Sequence, residues 1–283
     1  MRLHVIDTGF FKLDGGAMFG VVPKSIWHKL NPSDDNNMCS WAMRCLLVED
    51  GNRLILIDTG LGSKQDEKFF SYYYLHGEAS LAKSIRQAGF SPDEVTDVVL
   101  THLHFDHVGG AVSRSPDQNQ LFPTFRNARY WSTPKHWQWA TQPNAREKAS
   151  FLKENIMPLH ESGQIHWIEE NQPSPFTNID FLFVNGHTEA MLLPRIRVGN
   201  QTLLYMADLV PSSGHVPIPY VMGYDVRPLL TMEEKISILQ QAADNQWILF
   251  FEHDPIVECA TVQTTEKGVR ISNKSELADL INN

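Results

Sequence analysis

Cysteine is scarce in this chain: three among 283 residues, at Cys39, Cys45 and Cys259. A sparse, odd set at unrelated spacings is no disulfide framework, and buried free thiols in a reducing, cytoplasmic compartment are the expectation. Long apolar runs are lacking as well. Trp247 to Phe251 is typical of the longest, far short of the ~20 residues a membrane-spanning helix needs. Met1-Arg2-Leu3-His4-Val5-Ile6-Asp7 has no extended apolar stretch and no small-residue cleavage site, so a strand is expected there and not a signal peptide. Basic residues are outnumbered, 24 Lys and Arg against 33 Asp and Glu, for a net charge of −9. That balance argues against nucleic acid or an anionic membrane as partner and leaves a small-molecule substrate open. No Pro/Gly/Ser linker, solenoid repeat or low-complexity segment divides the chain, so residues 1–283 are expected to form a single domain.

What is present suits a globular protein with a sizeable core: 42% hydrophobic and 20% charged residues. Strands are expected at Leu3–Ile6, Ala17–Val22, Ala42–Glu49, Arg53–Asp58 and Asp97–Thr101, where β-branched and apolar residues cluster. Asp50-Gly51 between the third and fourth is a hairpin signal, because Asp-Gly suits positive φ. Helices are expected at about Glu78–Ala88, Thr133–Gln142, Ala145–Leu159 and Met232–Asn245. The second half returns to strands at Ile165–Glu169, Ile179–Val184, Met191–Val198, Thr202–Ala207, Trp247–His253, Ile256–Gln263 and Val269–Ile271. Hairpins are too frequent for a doubly wound parallel sheet. The expected class is α/β (αββα), a four-layer sandwich of two mixed β-sheets with helices on the outer faces.

The chemistry concentrates in one run. His102, His104, Asp106 and His107 fall within six residues, directly after the apolar stretch Val98-Val99-Leu100-Thr101. Histidines at i and i+2 on extended chain point the same way, so two imidazoles converge on one point while Asp106 and His107 turn toward a neighbouring one. Gly109-Gly110 then lets the backbone pass close by. Imidazole and carboxylate are the ligand set for zinc, iron or manganese. Four ligands do not complete two metal spheres. Three further residues end apolar strands downstream: His187 after Phe181–Val184, Asp208 after Leu203–Ala207, and His253 after Trp247–Phe251.

His102-x-His104-x-Asp106-His107 followed by His187, Asp208 and His253 resembles the full motif set of the metallo-β-lactamase superfamily of metal-dependent hydrolases. Leu56-Ile57-Asp58-Thr59-Gly60 resembles its first motif. The spacing of 80 residues from His107 to His187, with the N-terminal run Gly15–Lys24, is similar to the methyl-parathion hydrolase and N-acyl-homoserine-lactone lactonase branches. The resemblance implies two divalent metal ions, zinc foremost, with iron or manganese as alternatives. It implies His102, His104 and His187 on one ion, Asp106, His107 and His253 on the other, and Asp208 bridging. Asp106 would also orient the attacking hydroxide or carry a proton, and Asp58 would fix a ligand imidazole through a hydrogen bond. The implied activity is cleavage of a small-molecule ester-like bond in a lactone, carboxylic ester or phosphotriester.

Two departures stand out. Lactonases of the shorter type carry a tyrosine three residues after the bridging aspartate, where this chain has Pro211. His215, Tyr220 and Tyr224, on the segment Val210–Arg227, are the candidates to line the substrate pocket in its place. Thr188-Glu189 stands where many relatives have Pro-Gly. Phe19, Trp27, Phe105, Trp137 and Trp139 are candidate pocket aromatics. Competing readings are a mononuclear iron oxidoreductase of the persulfide dioxygenase type and a metal-dependent nuclease; the acidic charge opposes the latter. A homodimer is compatible with everything above.

Overall fold

The computed structural model describes residues 1–117 and 120–281. The chain divides into two units, one formed by Met1–Gly9 with Met43–Pro175, the other by Phe10–Ala42 with Phe176–Asn283.

The first unit is built on a six-stranded sheet. Its strands are β1 (Arg2–Asp14) and β2 (Met38–Asp50), which both run on into the second unit's residues, then β3 (Arg53–Ile57), β4 (Asp97–Val99), β7 (Arg129–Ser132) and β8 (Ile165–Trp167), hydrogen-bonded in that order. The sheet is mixed: β2 and β3 are antiparallel, whereas β3, β4, β7 and β8 run parallel. Asp50 pairs with Arg53 across a two-residue turn in which Gly51 takes φ 64°, a conformation that costs a side chain dearly and glycine little. Helices α3 (Glu67–Ser71), α4 (Leu81–Gln87), α5 (Phe105–Val108), α6 (Pro134–Thr141) and α7 (Lys153–Glu161), with the small hairpin β5 (Val112–Arg114) and β6 (Leu121–Pro123), complete the unit. The core gathers Leu47, Leu56, Val98, Leu100, Leu103, Val108, Tyr130, Ile156 and Leu159, all at most 2% exposed. Val98 of β4, and Leu100 and Leu103 from the turn after it, are part of this core.

The second unit carries a second six-stranded sheet, with β9 (Ile179–Val184), β10 (Met191–Val198), β11 (Gln201–Tyr205), β12 (Ile248–Phe250), β13 (Cys259–Thr265) and β14 (Gly268–Ser275) in chain order. All neighbours are antiparallel except β11 and β12. That parallel pair needs a crossover, and α8 (Pro228–Asp244) lies within it. Thr231, Lys235, Ile238, Leu239 and Ala242 are its buried residues, spaced as one face of a helix. Short helices α1 (Gly15–Phe19), α2 (Lys24–Trp27) and α9 (Leu277–Ile281) make up the rest.

The mixed α/β class expected from the sequence is what forms, with two large mixed sheets and helices. Ala17–Val22 is not the strand its composition suggests. The Asp14 carboxylate accepts from the Ala17 amide and starts α1, and Gly20 at φ 59° ends it. Residues 145–150 are turn, so the helix expected from Ala145 begins only at Lys153. The three cysteines are buried thiols, and burial pushes the Cys39 thiol up to about 11. Among the described residues no helix is long and apolar enough to cross a membrane.

Candidate metal centre

Each unit presents its own group of metal-type donors. In the first, β4 ends at Val99 and the chain turns through Thr101 to His104 before α5 begins. This turn is pinned from several sides. The Thr101 amide and hydroxyl donate to the two oxygens of Asp58, at 2.8 and 2.7 Å. His136 Nε2 accepts from the Leu103 amide at 2.9 Å. The Thr59 amide and hydroxyl donate to the His107 carbonyl at 2.8 and 2.7 Å. A Cβ on Gly109 would stand 2.1 Å from the Leu61 carbonyl oxygen, so only glycine lets the two backbones pass here.

These contacts set the imidazole tautomers. His107 Nδ1 lies 3.1 Å from Asp58 Oδ2, which places its proton on Nδ1 and its lone pair on Nε2. His102 Nδ1 lies 3.1 Å from the Thr101 hydroxyl; that hydroxyl already donates to Asp58, so it accepts from His102 and leaves the lone pair on Nε2. His104 Nε2 lies 3.3 Å from Glu147 Oε1, which places the proton on Nε2 and the lone pair on Nδ1. The rings converge, with His102 centred 3.9 Å from His107 and 4.6 Å from His104. All three are buried, and Asp106 lies beside them with Oδ2 3.8 Å from His107 Nε2.

In the second unit His187 follows β9, Asp208 follows β11 and His253 follows β12. The two oxygens of Asp208 face two imidazoles, at 3.1 Å from His187 Nε2 and 3.2 Å from His253 Nε2. The opposite nitrogens are engaged: His187 Nδ1 is 3.0 Å from Asp225 Oδ1, and His253 Nδ1 is 2.7 Å from the Ala42 carbonyl. Burial alone would lower the His187 pKa, but the Asp208 and Asp225 carboxylates outweigh it and raise it to about 10. The loop before His187 is fixed from α8, where Glu234 accepts from the Asn185 and Gly186 amides at 2.6 and 3.0 Å. Pro211, at the place of the lactonase tyrosine, accepts the His253 amide through its carbonyl at 3.0 Å.

The donor chemistry fits a cation. His253 carries its proton on Nδ1, so Nε2 turns a lone pair toward a carboxylate oxygen 3.2 Å away. Two acceptors at that distance repel unless a proton or a metal ion lies between them. Backbone strain gathers at the same places. Asp58, Ala190 and Ala207 are three of the six non-glycine residues with positive φ among the described residues, and each belongs to or adjoins a donor segment.

Of the pocket candidates, His215 is fully buried. Its Nε2 is 2.9 Å from the Met18 carbonyl, its Nδ1 is 2.7 Å from Ser212 Oγ, and its ring stacks on Phe19 at 4.4 Å. Burial pushes its pKa down to about 3. It serves the core, as do Phe19 and Trp27 stacked beside it. Tyr220 is half-buried and Tyr224 exposed. Sequence reasoning missed Glu147, His136, Asp225 and Glu234. Each meets the donor groups from more than 30 residues away, a distance no local motif spans.

Two mixed sheets with imidazoles and carboxylates at the ends of their strands are the equipment of a metal-dependent hydrolase. The chain belongs to the Metallo-beta-lactamase superfamily, whose match covers residues 44–253. It is similar to N-acyl homoserine lactonase AiiA of Bacillus thuringiensis subsp. kurstaki, 23% identical over 266 residues, covering 89% of this chain and 93% of that protein. A probable metallo-hydrolase of Mycobacterium tuberculosis is 25% identical over 277 residues, with 84% and 85% of the two chains covered. Among solved structures, a probable metal-dependent hydrolase from Staphylococcus aureus superposes with a TM-score of 0.87 at 25% identity, covering 96% of this chain and 95% of that one. AidC, a dizinc quorum-quenching lactonase in complex with a product, N-hexnoyl-L-homoserine, superposes with a TM-score of 0.77 at 23% identity, covering 98% and 97%.

Proposed function

We propose that this protein is a dinuclear metal-dependent hydrolase that cleaves an ester-like bond in a small molecule: a lactone, a carboxylic ester or a phosphotriester. The two units act as one domain in this reading. His102, His104 and His187 hold one ion, Asp106, His107 and His253 hold the second, and Asp208 is shared. The ions are divalent, zinc foremost. The observation that carries the reading is Asp208, whose two oxygens each face a different imidazole of a tautomer suited to coordination. A carboxylate so placed serves two ions better than one. Bound ions of this kind lower the pKa of water and polarise a carbonyl or phosphoryl oxygen.

The chain's own residues do the rest. Asp58, Glu147, Asp225 and the Ala42 carbonyl each hold one imidazole in the tautomer that coordination needs. Asp106, only 8% exposed, orients the nucleophile and takes up its proton. A lactone is the substrate we favour within the class, because lactonases are among both the curated and the structural relatives. The test is a panel of lactones, aryl esters, phosphotriesters and β-lactams assayed on metal-analysed protein. Turnover of a lactone or ester by a two-metal protein is the expected result. A single iron per chain with oxygen consumption would replace this reading with the oxidoreductase one.

A further inference from the structure

A tyrosine packed on Phe105, the chain neighbour of Asp106, has no part in the account above. Helix α3, capped by the Asp66 carboxylate, ends at Ser71 and is followed by Tyr72-Tyr73-Tyr74. Tyr72 is 60% and Tyr74 54% exposed, whereas Tyr73 is turned inward and half-buried. Its ring centre lies 4.7 Å from that of Phe105, the residue between His104 and Asp106. Phe69 closes the group, 5.0 Å from Tyr73 and edge-on to Phe105 at 5.5 Å. Tyr74 holds φ 45°, a left-handed conformation that a bulky side chain resists. The turn that carries Tyr73 inward is thus kept against a local cost, which is a mark of functional segments.

The Tyr73 hydroxyl has no hydrogen-bond partner among the described residues. A half-buried phenol is expected to find one. A phenol keeps its proton across the neutral range and can donate there.

We propose that Tyr73 donates a hydrogen bond from its phenol to an oxygen of the bound substrate next to Asp106. The role rests on the hydrolase reading, in which the reacting bond sits beside Asp106. It is a catalytic role in the strict sense, since the hydroxyl would touch the group on which negative charge develops.

Tyr73→Phe keeps the ring and its packing and removes only the donor. The expected result is a fall in kcat of at least tenfold, with metal content and thermal midpoint unchanged and KM altered less than kcat. Tyr72→Phe is the control and should match the wild type. A second readout is independent of turnover. In protein labelled with 3-fluorotyrosine, the fluorine resonance missing from Tyr73→Phe should shift when the hydroxy-acid product of the best lactone is added. Wild-type kcat in Tyr73→Phe, a change confined to KM, or a fluorine signal that stays put while calorimetry records product binding would each overturn the proposal. If the wild type hydrolyses nothing in the panel, the hydrolase reading itself fails and takes this role with it. If it hydrolyses a lactone and Tyr73→Phe does so equally well, the Tyr73 role alone falls.

Discussion

Asp208 is where the chemistry of single residues can be weighed most directly. Its oxygens stand 3.1 and 3.2 Å from two imidazole nitrogens, and both imidazoles are anchored at their far sides. Asp208→Ala should therefore lower metal content and activity together, as read by elemental analysis and turnover. Full occupancy with full activity in that variant would remove Asp208 from the centre. Glu147 acts one step further out. It is 3% exposed, accepts from Trp139 Nε1 at 2.7 Å, and holds His104 through Nε2. Glu147→Gln keeps the shape and weakens the hold on the tautomer. We expect metal affinity to fall about 10–100-fold, the usual cost of losing such a partner, measured by competition with a chromophoric chelator. Unchanged affinity would make Glu147 a packing residue only. The candidate ligand residues were legible in the sequence because six residues carry four of them and strand ends carry the other three. Of their supports, Asp58 was legible from its motif, whereas Glu147 and Asp225 were not, because they lie in irregular segments whose composition resembles any polar loop.

At the scale of elements, the segment from Ser212 to Tyr220 shows how a loop with a single 3-10 turn, Ser213–His215, is fastened to a helix. Lys235 of α8 is buried and its ammonium donates toward the carbonyls of His215, Pro217, Ile218 and Tyr220, at 2.7 to 3.3 Å. Lys235→Met removes this donor from four carbonyls, of which that of Pro217 keeps the Tyr220 amide, and should cost about 3 kcal/mol in urea unfolding, by the scale of lost charge-assisted hydrogen bonds. A loss below about 0.5 kcal/mol, the range of ordinary surface substitutions, would contradict the clamp. His215 in the same loop makes the stability pH-dependent. Its folded pKa lies at about 3, below the ordinary imidazole value of 6.5. Above 6.5 both states are neutral and the group contributes no slope. Between 6.5 and 3 the unfolded chain takes up a proton that the folded chain refuses, so stability falls as pH falls. His215→Phe keeps a ring on Phe19 and should shallow that slope by up to about 1.4 kcal/mol per pH unit. Denaturation midpoints from pH 6.5 to 4 would show it, and an unchanged slope would contradict the assignment. Most strands were legible from alternation and turn residues, Asp50-Gly51 being the clearest. Ala17–Val22 misled because apolar composition suits a strand, while the Asp14 cap that starts a helix there is a single side-chain contact.

For the whole molecule, the seven candidate donors fall on two compact units, four on one and three on the other. If one metal centre draws on both, metal binding must stabilise the folded chain, since the unfolded chain cannot gather those residues. At metal concentrations about 100-fold above Kd the gain is about 2.7 kcal/mol. A chelator should lower the thermal midpoint by several degrees and leave a single transition; two separate transitions would argue that the units fold apart. The α/β class with two mixed sheets could be anticipated from the order of strands and helices. The break of the chain at Gly9, Met43 and Pro175 could not, because β1 and β2 run through it without any change in composition. The central claim is a two-metal hydrolytic centre. Elemental analysis of the purified protein, followed by lactone turnover on the same sample, tests it most directly. Two divalent ions per chain with lactone hydrolysis is the predicted result; one ion per chain, or two ions and no hydrolysis of any ester-like bond, would contradict it.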